Sequence, residues 1–109
     1  MLADTIKTAR EIIEKGWCKG RMNDGVGFCA LGAVAEAVGV EWVRDIFNLP
    51  RPVFTFDSAE EWTRGKDFLN GLALQAGYKH TAVFNDDPIT THQDVLNFFD
   101  KALAELGAL

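Results

Sequence analysis

The sequence predicts a mainly α-helical protein, a single compact domain spanning residues 1–109 with about five helices. A short β-hairpin or two short strands also fit this class. Three observations support it. Apolar residues recur at helical spacing in several segments, and glycine and proline residues separate those segments. The composition, with 48% hydrophobic and 25% charged side chains in 109 residues, is typical of one globular core.

The first predicted helix begins with a cap at Asp4 and ends at Gly16. Its apolar residues share one face: Ile6, Ala9, Ile12 and Ile13. Gly16 suits the left-handed position after a helix, which predicts a Schellman ending that folds Trp17 back onto Ile12. Trp17 is therefore interpreted as a core side chain.

A polar loop leads to the second predicted helix. Asn23, Asp24 and Gly25 form the strongest turn signal in the chain, which fits a small hairpin or a structured loop equally. The helix itself begins at Cys29 and is terminated by Gly39. Because it contains several small residues that allow a close helix contact, we expect it to be the central and most buried helix.

The middle of the chain is divided by prolines. Apolar spacing predicts a short helix over residues 41–47, which Pro50 and Pro52 prevent from continuing. Residues 53–56 alternate in polarity and are predicted to be extended. Residues 78–84 fit a short strand or an extended loop, and nothing in the sequence decides between the two.

Two further helices carry capping signals. Ser58 and Glu61 match a capping box for a helix that Gly77 ends. Thr91 and Asp94 repeat the pattern for the last helix. That helix has an apolar stripe: Val95, Phe98, Phe99, Ala102, Leu103 and Leu106.

Charge and hydropathy limit the partners and the compartment. Sixteen acidic and 11 basic side chains give a formal charge of -5, which disfavours binding to nucleic-acid phosphates. Such a surface supports solubility, and it could also meet a basic partner or imitate DNA. No segment approaches the ~20 apolar residues of a membrane span, and the N-terminus does not read as a secretory signal. We therefore expect a cytoplasmic protein with no membrane contact and with free thiols.

Cys29 and His92 are the candidate catalytic residues. Cys29 is predicted at the start of a helix, an environment that lowers a thiol pKa, and His92 or His80 could act as its base. No flanking signature of a known cysteine enzyme accompanies them, and free cysteine is commonly buried. A structural Cys29 is the favoured interpretation.

The candidate residues for binding a ligand or partner precede the second and last helices: Cys18, Asn23, Asp24, Asn85, Asp86 and Thr91. Both loops lead to helix N-termini, where backbone N–H groups lack intrahelical partners. The competing interpretation is that these polar side chains form turns with their own backbone. The two cysteines lack the short paired spacing of zinc motifs, so neither a metal nor another cofactor is predicted.

A surface patch for a protein partner is a further possibility beside the two prolines. Its aromatic residues are Phe54, Phe56 and Trp62. Core placement of these three is favoured.

Four short motifs resemble a family of small uncharacterised proteins of bacteria and their phages. They are Gly16-Trp17-Cys18, Cys29-Ala30-Leu31-Gly32-Ala33, Asn85-Asp86, and the helix that follows Thr91-His92. The resemblance implies a bacterial or phage source and no particular substrate. Family members carry Gly-Arg between the Asn-Asp and the Thr, where this chain has residues 87–90, so no anion-binding role is carried over to that loop.

Three functions remain open. The favoured one is a small soluble accessory or binding protein that acts through a protein partner. The second is a hydrolase or transferase with Cys29 as nucleophile, His92 as base and Asn85 or Asp86 as orienting group. The third is a protein that sequesters a small ligand between the two loops. In each case we expect the helices that follow Cys29 and Thr91 to pack together, with their N-terminal loops on one side.

Overall fold

The computed structural model describes residues 1–108 and confirms the mainly α-helical class with a short hairpin. The described part of the chain contains five helices and a two-stranded antiparallel sheet. In order, the elements are α1 (Leu2–Lys15), α2 (Ala30–Ala37), β1 (Glu41–Arg44), β2 (Pro50–Val53), α3 (Phe56–Gln75), α4 (Thr81–Asp86) and α5 (His92–Glu105).

One hydrophobic core joins the helices. α1 packs against α2, α3 and α5, and α2 also contacts α3 and α4. The fully buried side chains at the centre include Ile6, Ile13, Val34, Leu69 and Phe99. The main partner of α2 is therefore α1 rather than the expected α5. No helix among residues 1–108 combines the length and the apolar character that crossing a membrane requires.

Helix α1 ends at Gly16 as predicted, but its start and the conformation of its ending differ from the prediction. The helix begins at Leu2 with Met1 as its cap, ahead of Asp4. Gly16 has extended backbone, with φ -179°, so the helix has no left-handed Schellman ending. A Cβ on Gly16 would lie 2.8 Å from the carbonyl oxygen of Val26, so this position needs glycine because another segment passes close to it.

The caps of α3 and α5 are both reciprocal side-chain boxes. Thr91 Oγ1 accepts a hydrogen bond from the Asp94 N–H at 3.1 Å, and Asp94 Oδ2 accepts one from the Thr91 N–H at 2.9 Å, as predicted. In α3 the box is formed by Thr55 and Ser58, because the helix begins before the predicted cap and places Glu61 within its second turn. The expected box between Ser58 and Glu61 is thus wrong.

The predicted helix over residues 41–47 is a strand and a turn. Residues 41–44 pair with residues 50–53 in an antiparallel hairpin. Asp45 accepts two backbone hydrogen bonds within the turn, and Asn48 takes a left-handed conformation with φ 59°, which reverses the chain. The predicted extended segment at 53–56 is correct only at its start, because β2 ends at Val53 and α3 begins at Phe56.

The segment 78–84 is neither the strand nor the extended loop that was expected, because a short helix, α4, begins at Thr81. Asn70 of α3 accepts a hydrogen bond from the Thr81 N–H at 2.9 Å and so fixes the start of α4. One helical turn later, α4 directs Asn85 into the protein interior, where the side chain is buried.

Candidate functional site

The loop between α1 and α2, residues 16–29, is closed at its ends by backbone pairing. The Cys18 N–H donates to the Phe28 carbonyl at 3.1 Å, and the Phe28 N–H donates to the Gly16 carbonyl at 3.2 Å. The Cys29 N–H donates to the Met22 carbonyl at 3.2 Å. The segment is therefore a structured loop folded against the start of α2.

Asn23 and Asp24 shape the tip of this loop. Asn23 Oδ1 accepts from the Gly25 N–H at 2.8 Å. Asp24 Oδ1 accepts from the Gly27 N–H at 2.7 Å and the Val26 N–H at 2.9 Å, and these bonds hold the pKa of Asp24 below its ordinary value. Both of these candidate binding residues direct side-chain oxygens to their own turn.

Asn85 joins the loop, α2 and α4 through a saturated set of hydrogen bonds. Its Oδ1 accepts from Trp17 Nε1 at 2.8 Å and from the Ala30 N–H at 3.0 Å. Its Nδ2 donates to the Cys18 carbonyl at 3.1 Å and to Asp86 Oδ1 at 2.9 Å. A primary amide has two acceptor sites and two donors, so this one has no capacity left for a ligand.

Asp86 and its neighbour hold the other side of the loop. Asp86 Oδ1 also accepts from the Gly20 N–H at 2.9 Å, and Lys19 Nζ donates to the Asp87 carbonyl at 2.7 Å. Lys19 Nζ lies 5.4 Å from the centre of a Trp17 ring, within the range of a cation–π contact. The loop of residues 16–29 and the segment of residues 85–87 therefore form one connected unit.

Both thiols are buried. Cys29 caps α2, and its Sγ accepts from the Gly32 N–H at 3.3 Å, while Cys18 Sγ donates to the Arg21 carbonyl at 3.3 Å. Burial raises the pKa of Cys29, and burial together with the Asp24 carboxylate raises the pKa of Cys18 to about 11. Near neutral pH such thiols carry little of the thiolate that a nucleophilic role requires.

His92 lies in the first turn of α5 and contacts the end of α1. Its ring stacks on Trp17, with centroids 5.7 Å apart and planes inclined by 19°. His92 Nε2 lies 2.6 Å from the Ile13 carbonyl oxygen, and because a carbonyl only accepts, this nitrogen carries the hydrogen. Among residues 1–108 no hydrogen bond joins His92 to Cys29.

The six candidate binding residues fall into two groups. Three meet in one network: Cys18, Asn85 and Asp86. Three bond within their own turns: Asn23, Asp24 and Thr91. In the described part of the chain, no three His, Cys, Asp or Glu side chains are grouped so as to hold a metal ion. The arrangement is well suited to holding loops in place.

The β1–β2 hairpin, residues 41–53, exposes apolar side chains that its sequence did not reveal. Ile46 and Phe47 at the turn are 91% and 72% exposed. On the strands, Val43 and Val53 are 41% and 48% exposed, and the antiparallel register places them on the same outer face. The helix expected over 41–47 would have buried most of these side chains as one stripe, which is why the surface was missed.

The turn of the hairpin is held by one carboxylate. Asp45 Oδ1 accepts from the Phe47 N–H at 2.8 Å and the Leu49 N–H at 3.0 Å, and Oδ2 accepts from Arg51 Nε at 2.7 Å. Arg51 and then the Leu49 N–H lower the pKa of Asp45. Ile46 and Phe47 are thereby presented on a turn with fixed geometry.

Trp42 attaches the inner face of the hairpin to the helical body. Its Nε1 donates to Glu36 Oε1 at 3.1 Å, and its ring lies 5.7 Å from that of Phe28. Of the three aromatic residues singled out near the prolines, Phe56 is exposed, whereas Phe54 and Trp62 pack on each other at 5.1 Å and are half-buried. Phe56, at the start of α3, is thus a further exposed apolar residue near the hairpin in the sequence.

The protein is thus small and helical. Hydrogen bonds hold its loop of residues 16–29 in place, and its hairpin of residues 41–53 exposes apolar side chains. The chain belongs to a family of unknown function, DUF6197, whose family model matches residues 1–105. Comparison with curated proteins and with solved structures gives no match for either.

Proposed function

We propose that this protein is a small binding protein that acts through a protein partner and contacts it with the hairpin of residues 41–53. The observation that carries the proposal is the set of exposed apolar side chains on a turn fixed by Asp45. Single exposed apolar residues are ordinary, whereas a cluster on one element is characteristic of interaction sites.

The rigidity of the turn favours binding. An immobilised side chain costs roughly 0.5–1.5 kcal/mol in lost freedom, and a surface already ordered before binding avoids part of that cost. Phe47 is an aromatic anchor of the kind that dominates interface energies. Arg44 and Arg51 on the same hairpin provide a polar rim around it.

The loop network gives less support to the other two functions. Cys29 is buried with a raised pKa, and Asn85 uses its whole hydrogen-bonding capacity within the protein. Within our proposal the network is a scaffold that positions α2, on which the hairpin rests through Trp42 and Glu36. The resemblance supports a bacterial or phage origin, and within our proposal the partner is met in the cytoplasm.

Site-specific photocrosslinking tests the proposal. A benzophenone amino acid replaces Phe47 in one variant and Leu74, an exposed apolar residue of α3, in the control. In bacterial cells we expect a crosslinked protein of defined mass at position 47 that is absent at position 74. A Phe47→Ser variant that also carries Ile46→Ser should lose that partner in affinity capture with an unchanged melting temperature, whereas Leu74→Ser should retain it.

Two results would contradict the proposal. Equal crosslinking at positions 47 and 74 would show that the hairpin has no preferred partner. Retention of the captured partner by the Ile46→Ser and Phe47→Ser double variant would place the contact elsewhere on the molecule.

A further inference from the structure

We infer that the outer edge of β1 binds an extended segment of the partner, which adds a third strand to the hairpin. This inference rests on the proposed function, because it specifies how the hairpin engages a protein. It assigns to the partner segment an acidic side chain that pairs with Arg44.

The direction of the backbone groups in β1 follows from the hairpin register. The Asp45 N–H donates to the Leu49 carbonyl at 3.0 Å, next to the pair formed by Arg44 and Pro50. In an antiparallel ladder, hydrogen-bonded and non-hydrogen-bonded pairs alternate. The backbone N–H and C=O groups of Trp42 and Arg44 therefore point away from β2, and within residues 1–108 they have no backbone partner.

The opposite edge of the hairpin is closed to strand addition by its sequence. On β2 the residues that face outward are Pro50 and Pro52, which have no N–H to donate. An added strand on that side would find acceptors only. The two edges thus differ, and only β1 offers the alternating donors and acceptors that an extended peptide requires.

A groove of about 270 Å³ is lined by three successive β1 residues, Trp42, Val43 and Arg44, and by Pro50 of β2. Phe28 and the highly exposed Val26 line it from the loop side. Side chains of an added strand alternate between its two faces, so every second one would meet the groove. The lining also includes Asn23 and Glu36, so the groove combines polar with apolar surface and selects no purely apolar side chain.

Arg44 supplies the charge preference. Its Nη1 donates to the Asn48 carbonyl at 2.8 Å, and among residues 1–108 its guanidinium forms no salt bridge. A carboxylate on the bound segment would complete a charge-assisted pair with it. Two-fold pairing of a second copy about Val43 would set Glu41 opposite Asp45, which disfavours that register.

Peptide selection tests the inference. A random linear heptapeptide library displayed on phage is panned against the intact protein, and the consensus peptide is synthesised and its dissociation constant measured by calorimetry. We expect the consensus to contain an acidic residue. Methylation of single peptide nitrogens should weaken binding about tenfold at alternate positions and little at those between, because only every second N–H of a strand faces its neighbour.

Substitution of Arg44 provides the matched protein variants. Arg44→Pro removes the outward N–H without removing a hydrogen bond between β1 and β2, and it should lower affinity at least as much as one peptide methylation. Arg44→Ala removes the guanidinium, so the preference for an acidic residue should be lost. It keeps the backbone N–H, so the methylation effects should still alternate along the peptide. The methylation pattern is read on the unaltered protein and does not depend on the folding of either variant.

Several outcomes would overturn the inference. One is that the library yields no binding peptide, and another is a methylation pattern without alternation. A third is a dimer in analytical ultracentrifugation that Arg44→Pro dissociates, because a second copy of the chain would then occupy the edge. A peptide that needs Ile46 and Phe47 but tolerates Arg44→Pro would also overturn it. None of these results changes the crosslinking at position 47, so failure of the edge and failure of the proposed function are distinguishable.

Discussion

The Asn85 amide connects three parts of the chain at a buried point, since it bonds to Trp17, Ala30 and Cys18. Asn85→Ala leaves an indole N–H, a backbone N–H and a carbonyl without their partner. Each buried unsatisfied group costs about 1–3 kcal/mol, so we expect the variant to lose roughly 3 kcal/mol of unfolding free energy in urea titrations. Asn97→Ala, at an exposed site on α5, is the control and should change stability by less than about 0.5 kcal/mol. Equal losses in the two variants would contradict the role of Asn85.

The two thiols give a second prediction at the scale of single residues. Because burial raises the pKa of both Cys29 and Cys18, each should react with a disulfide reagent at pH 8 far more slowly in the native protein than in guanidinium chloride. Single Cys18→Ser and Cys29→Ser variants each retain one thiol, so they show which cysteine reacts in each slow phase of the native protein. Rapid reaction of native Cys29 would instead restore the nucleophile hypothesis.

The contact between α2 and the preceding loop depends on a glycine, and it gives the first prediction for an element. A Cβ on Gly32 would lie 1.9 Å from the Met22 carbonyl oxygen, whereas a Cβ on Gly71 of α3 meets nothing within 4 Å. Gly32→Ala should therefore destabilise the protein by about 3 kcal/mol or more. Gly71→Ala should stabilise it by up to about 1 kcal/mol, because alanine has the higher helix propensity. Thermal unfolding measures both, and a stable Gly32→Ala variant would show that the loop is free to move.

The hairpin turn is expected to lose order in acid. The pKa of Asp45 is lowered in the folded protein, so its bonds to Arg51, Leu49 and Phe47 stabilise the turn above the ordinary aspartate pKa of about 3.9 and are lost as pH falls through the lower folded value. Amide resonances of Phe47 and Leu49 should then move toward unstructured positions in an NMR titration. Asp45→Ala should give the same change at pH 7, and Asp67→Ala should not. Resonances unchanged down to pH 2.5 would contradict this view of the turn.

Two of the helices that the sequence predicted, α1 and α5, have a long apolar period. The stripes that include Ile6 in α1 and Phe99 in α5 recur over 14 residues each, so helical spacing is unambiguous there. The hairpin strands have four residues each, and the spacing of apolar residues in β1 also fits a helix. The pairing of β1 with β2 and the contact of Trp42 with Phe28 decide for a strand, and neither follows from the local pattern. The six residues of α4 are likewise too few to display a period.

For the molecule as a whole, the sequence predicted which loops meet but not what they do there. Turn chemistry and helix starts indicated the segments around Cys29 and Asn85, and the fold connects them. Whether Asn85 is available to a ligand depends on how many of its hydrogen bonds lie within the protein, and that number comes from residues distant in the chain. The exposure of Ile46 and Phe47 was equally unpredictable, because no pattern along the chain shows that no other element covers the turn.

The distribution of buried contacts predicts two levels of stability in one molecule. The core lies among α1, α2, α3 and α5, whereas Trp42 is the main link between the hairpin and the body. Amide hydrogen exchange should therefore be slowest in α1, α2 and α5, because it requires global unfolding there. In these helices the exchange rate should rise steeply as low concentrations of urea are added. Hairpin amides should exchange through a smaller opening that hardly depends on urea, and Trp42→Ala should accelerate them while the exchange of α1 changes much less. If the hairpin and α1 instead exchange with the same opening free energy, the hairpin is part of the global folding unit and its presentation to a partner is as rigid as the core itself.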